Sequence, residues 1–200
     1  MRAGALLAVW AFALLGASPA PQTQALLQHA LDPNPDLMTY TASVTLSAQV
    51  HGFPPVHETL RGTASYRKPQ RKIVFQNVPP PLKRFASLTD SELTSDELAR
   101  DYVQSSFTDN GTSSSFVFVP VKSGARVKTL TLQIDDQTQL LERIAWAYTN
   151  GEALSFTPAY SSSGRYQLLS SVAIAARFPS YNVDGVLSFS NYQLGAPVNL

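Results

Sequence analysis

Tyr40-Thr-Ala-Ser-Val-Thr-Leu-Ser-Ala-Gln-Val50 decides the fold class. Ala42, Val44, Leu46, Ala48 and Val50 alternate with Thr41, Ser43, Thr45, Ser47 and Gln49. A period of two puts apolar side chains on one face of a strand and short polar ones on the other, as in a sheet with one buried face. Gly52-Phe-Pro-Pro55 turns the chain, and His57 to Arg67 returns with Leu60, Gly62, Ala64 and Tyr66 on one side. Lys68-Pro69-Gln70 turns it again, and Lys72 to Val78 makes a third strand carrying Ile73, Val74 and Phe75. Three strands joined by short turns form an antiparallel meander.

Upstream, Gln22 to Leu31 reads as a short helix with Leu26, Leu27 and Ala30 on one face, stopped by Asp32-Pro-Asn-Pro-Asp36. Downstream, Pro79-Pro-Pro81 breaks the sheet, and Thr94-Ser-Asp-Glu97 has the form of a capping box with Leu93 and Leu98 at staple spacing. It opens a predicted helix from Ser95 to about Val103, with Leu98, Ala99 and Tyr102 inward. Asn110-Gly111 marks a tight turn. Strands are then predicted at Phe116–Val121, Val127–Ile134 and Leu140–Tyr148, with Asp135 to Thr138 joining the last two. Asn150-Gly151 signals a hairpin between Tyr148 and Leu154, and Ser161-Ser-Ser-Gly164 a turn before Arg165 to Leu169. Val172–Phe178 and Val186–Tyr192 are the last two strands. The expected fold is mainly β: an incomplete antiparallel barrel, or half-barrel, with a few short helices covering one side. One domain over 21–200 is expected, with no repeat and no internal linker.

Met1 to Ala20 has Arg2, then an uncharged run from Ala3 to Leu15, then Gly16, Ala17, Ser18 and Ala20. That is the three-part pattern of a secretory signal peptide, cleaved between Ala17 and Ala25. The run falls short of the about 20 residues a spanning helix needs. The 200 residues carry a net charge of +1 and only 14% charged side chains, against roughly 25% in an average domain. Without Arg2 the basic and acidic residues are equal in number. An exported, near-neutral chain excludes nucleic acid as the expected partner. With no cysteine, disulfides, zinc-thiolate sites, cysteine nucleophiles and a cysteine-borne lipid anchor are all excluded. The expected localisation is periplasmic, soluble and not lipid-anchored.

Ala64-Ser-Tyr-Arg-Lys-Pro-Gln-Arg-Lys-Ile-Val-Phe75 resembles the lipoprotein carriers of the LolA and LolB group, in which a strand ends in a basic residue before proline and the next strand carries an aromatic. Leu130-Thr-Leu-Gln-Ile-Asp135, Leu140 to Trp146, Asn150-Gly151 and the ending Gly185-Val-Leu-Ser-Phe-Ser-Asn-Tyr192 fit the same order. The resemblance implies a LolA-like half-barrel closed on one side by helices, with an apolar cavity for acyl chains. It implies a non-enzymatic soluble carrier of a lipidic ligand, lipoprotein acyl chains or another lipid, without cofactor. Inner- or outer-membrane transport partners and a monomeric state go with that reading. The missing cysteine sides with the soluble LolA type. In LolA an arginine before the strand-end proline helps hold the lid helices; the matching position is Lys68, beside Arg67.

The residues themselves nominate Tyr66, Phe75, Trp146, Tyr148 and Phe156 as cavity lining, with Ile144 on the face of Trp146 and Tyr148. Ordinary core packing is the competing assignment for each. From Arg61 to Arg84 the chain has seven bases and no acid, and from Asp90 to Asp101 five acids and one base. Arg67, Lys68, Arg71 and Lys72 are the candidates for a lid latch or a basic patch facing anionic headgroups or an acidic partner; a solvated face is the alternative. Catalysis is not indicated. His29, His51 and His57 are the only histidines, and no Gly-x-Ser-x-Gly or phosphate-binding glycine loop occurs. Asp135-Asp136 reads as a turn pair rather than a calcium site. A different class of function stays open: an envelope sensing or protein-interaction domain on the same fold, binding through a sheet edge or the basic patch.

Overall fold

The alternating stretch forms strand β1 (Thr39–His51), with Ala42, Val44, Leu46 and Ala48 buried and Ser43, Thr45 and Ser47 exposed. The computed structural model of the chain describes residues 21–52, 55–83 and 93–198. The expected signal segment Met1–Ala20, Phe53-Pro54, and the charges of Arg84, Asp90 and Glu92 lie outside those residues. β1 pairs antiparallel with β2 (Val56–Arg67), and β2 with β3 (Gln70–Phe75). A helix α1 (Pro21–Leu31) precedes them. After a single 3-10 turn (Pro80–Leu82) come α2 (Ser95–Asp101) and β4 (Tyr102–Asp109). Then follow β5 (Ser113–Pro120), β6 (Val127–Asp135), β7 (Leu141–Tyr148), β8 (Ala153–Ser163), β9 (Tyr166–Arg177) and β10 (Asn182–Leu194).

The ten strands of the described residues form one antiparallel sheet in the order β3-β2-β1-β10-β9-β8-β7-β6-β5-β4. It is not closed into a barrel: β3 and β4 are its two edges. Strands β4 to β10 run as an unbroken meander, and the β1–β3 meander joins it through the long β1–β10 ladder. The inner face carries two apolar clusters. The larger gathers residues of β1, β2, β3, β8, β9 and β10 with Leu37 and Leu82. The smaller places Ala30 of α1 and Leu98 of α2 over Phe116, Phe118, Leu130, Leu132 and Ile134. Trp146 of β7 packs against both. The helices therefore cover one half of the face, where Leu26 and Leu27 also pack.

Local chemistry explains the helix starts and stops. Thr94 Oγ1 accepts from the Glu97 amide at 3.2 Å and Glu97 accepts from the Thr94 amide at 3.3 Å, a complete capping box. Leu93 and Leu98 join the same cluster, as a staple does. α2 ends at Asp101, not Val103, and Ala99 is exposed. Tyr102 already lies in β4, a strand whose sequence shows no alternation. β3 ends at Phe75 rather than Val78, because Asn77 takes a left-handed conformation (φ 52°). The two strands expected at Arg165–Leu169 and Val172–Phe178 are one, β9, whose register shifts where Ala159 and Tyr160 pair with Ser171 and Leu169.

Candidate functional site

Lys68 builds the first wall of the site. Its ammonium donates to Asp32 Oδ2 at 2.5 Å and to the Pro35 carbonyl at 2.8 Å. This pins the segment directly after α1 to the β2–β3 turn. Asn34 fixes the same segment to β9: its amide donates to the Gln167 carbonyl at 2.7 Å, and its Oδ1 accepts from the Gln167 amide at 2.9 Å. The two prolines of Asp32-Pro-Asn-Pro-Asp36 end α1, and the polar side chains beside them tie its end down.

Between this segment and the concave face of the sheet lies a cavity of about 170 Å³. Ala30 and Leu31 of α1 line it from one side. Leu141, Ile144, Trp146, Phe156, Ile174 and Leu187 make its apolar floor. Trp146 meets Phe156 edge-on at 5.5 Å. The other end is aromatic and polar. Tyr40 stacks on Tyr66 at 4.9 Å and meets Tyr192 edge-on at 5.2 Å; the Tyr192 hydroxyl donates to the Leu169 carbonyl at 2.7 Å. Tyr160 and Arg71 complete this end. Burial pushes the Tyr160 phenol up to about 12, against an opposing pull from Arg71. Burial, with Tyr40 adding to it and Arg71 opposing it, also raises the Tyr192 phenol. Among the described residues only Asp32 and Arg71 are charged on the cavity wall.

Of the residues nominated from sequence, Tyr66, Trp146 and Phe156 line this cavity. Phe75 and Tyr148 do not: both are half-buried and pack against the larger cluster, and Arg126 lies over the Tyr148 ring at 5.4 Å. The four bases do not form one patch. Arg67 and Lys72 are exposed, Lys68 holds the end of α1, and Arg71 lines the cavity. The period of two along β3 sends Arg71, Ile73 and Phe75 to one face and Lys72 and Val74 to the other. Tyr40, Tyr160 and Tyr192 were not singled out by sequence; each sits near a strand end on the inward face, and period-two phase was the available signal.

Elsewhere, His51 Nε2 lies 2.8 Å from Asp184 Oδ2 on exposed surface, and His57 is exposed. Asp135 accepts from the Thr138 amide and hydroxyl (2.6 and 2.8 Å), which holds its carboxyl below the usual range, and Asp136 accepts from Ser114. Among the described residues no group of three His, Asp or Glu side chains is placed to hold a metal ion.

No protein-family model and no curated protein sequence matches the chain. Its fold does match solved structures. A LolA superfamily protein from Nitrosomonas europaea superposes with a TM-score of 0.55 at 8% identity, over 88% of this chain and 94% of that one. A putative outer membrane lipoprotein-sorting protein domain from Vibrio parahaemolyticus gives 0.56 at 11%, over 88% and 93%. A DUF1329 family protein from Desulfovibrio piger gives 0.54 at 12%, over 88% and 94%. The chain has the LolA-like fold.

Proposed function

We propose that this chain is a soluble periplasmic carrier that binds the apolar chain of a lipid or lipoprotein on the concave face of its half-barrel. One observation carries the reading: a cavity between α1 and the sheet with an apolar floor of Leu141, Ile144, Trp146, Phe156, Ile174 and Leu187. The about 170 Å³ beside that floor leaves room for a short apolar segment. A longer acyl chain requires α1 to move away from the sheet. Lys68 then acts as a latch, since it grips both Asp32 and Pro35 at the end of α1. A non-enzymatic role and a secreted location belong to the same proposal.

The test uses the full chain purified without detergent. Export would remove Trp10 with the signal segment, which leaves Trp146 as the sole tryptophan of the two in the sequence. Titration with an apolar naphthylamine dye should saturate and transfer energy from Trp146, and extraction should yield co-purified lipid by mass spectrometry. Absence of both lipid and a saturable dye site would sink the carrier reading. Lys68→Met should lower unfolding stability by about 1 kcal/mol, the scale of one partly exposed charged contact, and accelerate dye uptake in stopped flow.

A second reading, a protein-interaction domain, draws on β4. This edge strand exposes Val103 and Phe107 (55% and 40% accessible), next to exposed Val119 on β5. An open strand edge invites pairing with an extended segment of a partner. Cross-linking in the envelope that is lost on Val103→Lys, with no lipid found, would favour it.

A further inference from the structure

The cavity is asymmetric along the strands. On β8, Phe156, Pro158 and Tyr160 face it in succession, which spans about 13 Å from the first to the last at the usual rise per residue. At the Phe156 end the neighbours are Trp146, Ile144 and Leu187. At the Tyr160 end they are Tyr40, Tyr66, Tyr192 and Arg71. Arg71 is directly opposite Tyr66 in the β2–β3 ladder, and Tyr66 is opposite Tyr40 in the β1–β2 ladder. A fixed positive charge thus stands at one end of an apolar slot, in a frame of tyrosine rings. The other wall charge, Asp32, accepts from Lys68.

We propose that the cavity, widened by the movement of α1 that a long chain requires, takes an anionic amphiphile in one orientation: an oxyanion head, carboxylate or phosphate ester, at Arg71, and its alkyl chain along Pro158 toward Phe156 and Trp146. The proposal rests on the lipid-binding reading above and names the ligand class for it. A guanidinium stays protonated at all physiological pH and has five donors in a planar fork. That capacity lets it receive an oxyanion bidentately in addition to the neighbours that position it. Arg71 opposes the upward shift of both the Tyr160 and Tyr192 phenols, so its charge is felt by both rings across the slot. Both phenols stay neutral at neutral pH, so neither repels an anion. Low-dielectric surroundings strengthen the attraction relative to bulk water. A neutral head would leave the guanidinium without this gain.

The experiment compares three probes of equal chain length on the full protein at neutral pH, by calorimetry: dodecanoate, dodecyl phosphate and dodecanol. The two anionic probes should bind about tenfold tighter than dodecanol, the scale of a hydrogen bond between charged groups. Whichever anion is tighter identifies the head as carboxylate or phosphate. Arg71→Gln should bring the anionic probes down to the level of dodecanol, with circular dichroism as the folding check. If Arg71→Gln does not fold, the ranking on the unaltered protein decides by itself. Equal binding of all three probes, or an anion preference that survives Arg71→Gln, overturns the proposal and leaves the carrier reading standing. Binding of none of them overturns both.

Discussion

Lys68 and Arg71 stand three residues apart in a run of bases, and the fold uses them for opposite purposes. Lys68 reaches over the sheet end to the backbone and carboxylate that follow α1, while Arg71 turns under the sheet into the cavity. Strand phase separates them from Arg67 and Lys72, which are exposed. A charge-reversal test of surface attraction therefore belongs at Arg67 and Lys72. The tyrosines around Arg71 make a second prediction. An unfolded tyrosine loses its proton near pH 10; Tyr160 in the folded chain holds it to about 12, and Tyr192 is shifted in the same direction. The folded state thus binds more protons than the unfolded one once pH exceeds 10. Stability is at its full value below that pH and falls as pH rises through the folded-state pKa. Urea midpoints at pH 9 and 11 should show this fall, and Tyr160→Phe should make it smaller. An unchanged fall would remove Tyr160 from the account. Why the cavity residues were only partly legible follows from the same positions. Alternation tells which face Tyr66 and Trp146 occupy, but not that Tyr160, five strands away from Arg71 in the order of the sheet, comes to face it.

At the scale of elements, the readable ones carried their own local chemistry. β1 has alternation, α2 its capping box, and the β7–β8 hairpin its Asn150-Gly151, with Gly151 at φ 82°. β4 has none of these: Tyr-Val-Gln-Ser-Ser-Phe-Thr-Asp lies at a sheet edge, is mostly exposed, and carries a register shift between Gln104 and Ser106 that breaks any period. Only pairing with β5 makes it a strand, and that is a tertiary fact. β9 looks like two strands in sequence for a similar reason, since its register shift falls among Leu169, Ser170 and Ser171. Gly62 shows how tightly elements meet. A Cβ there would lie 2.3 Å from the Val74 carbonyl oxygen and 3.0 Å from the Phe75 Cα, both backbone atoms of β3. The chain cannot yield by moving a side chain, so Gly62→Ala should cost about 1–3 kcal/mol, the range for overpacking. A denaturant midpoint that does not move would show that β3 can shift outward at little cost.

The whole molecule has an order of strands that the sequence pattern did not reveal, because alternation tells the face of a strand and not its neighbour. Its β1–β10 ladder runs from Tyr40–Leu194 to His51–Asn182, and the Gly195 amide donates to the Thr39 carbonyl at 2.9 Å. The first and last of the described strands thus lie side by side within the sheet, and both edges, β3 and β4, come from the segment between them. This has a consequence for synthesis. β1, β2 and β3 are made first, yet the partner that joins them to the rest is made last. A growing chain must carry an open β1 edge, with Val44, Leu46 and Ala48 on one face, until residue 194 is complete. Chains stopped at residue 180 should be digested by protease at β1–β3 while the full chain resists. If the shortened chain resists equally, the three-strand unit holds without β10, and the order of synthesis places no demand on when the protein folds.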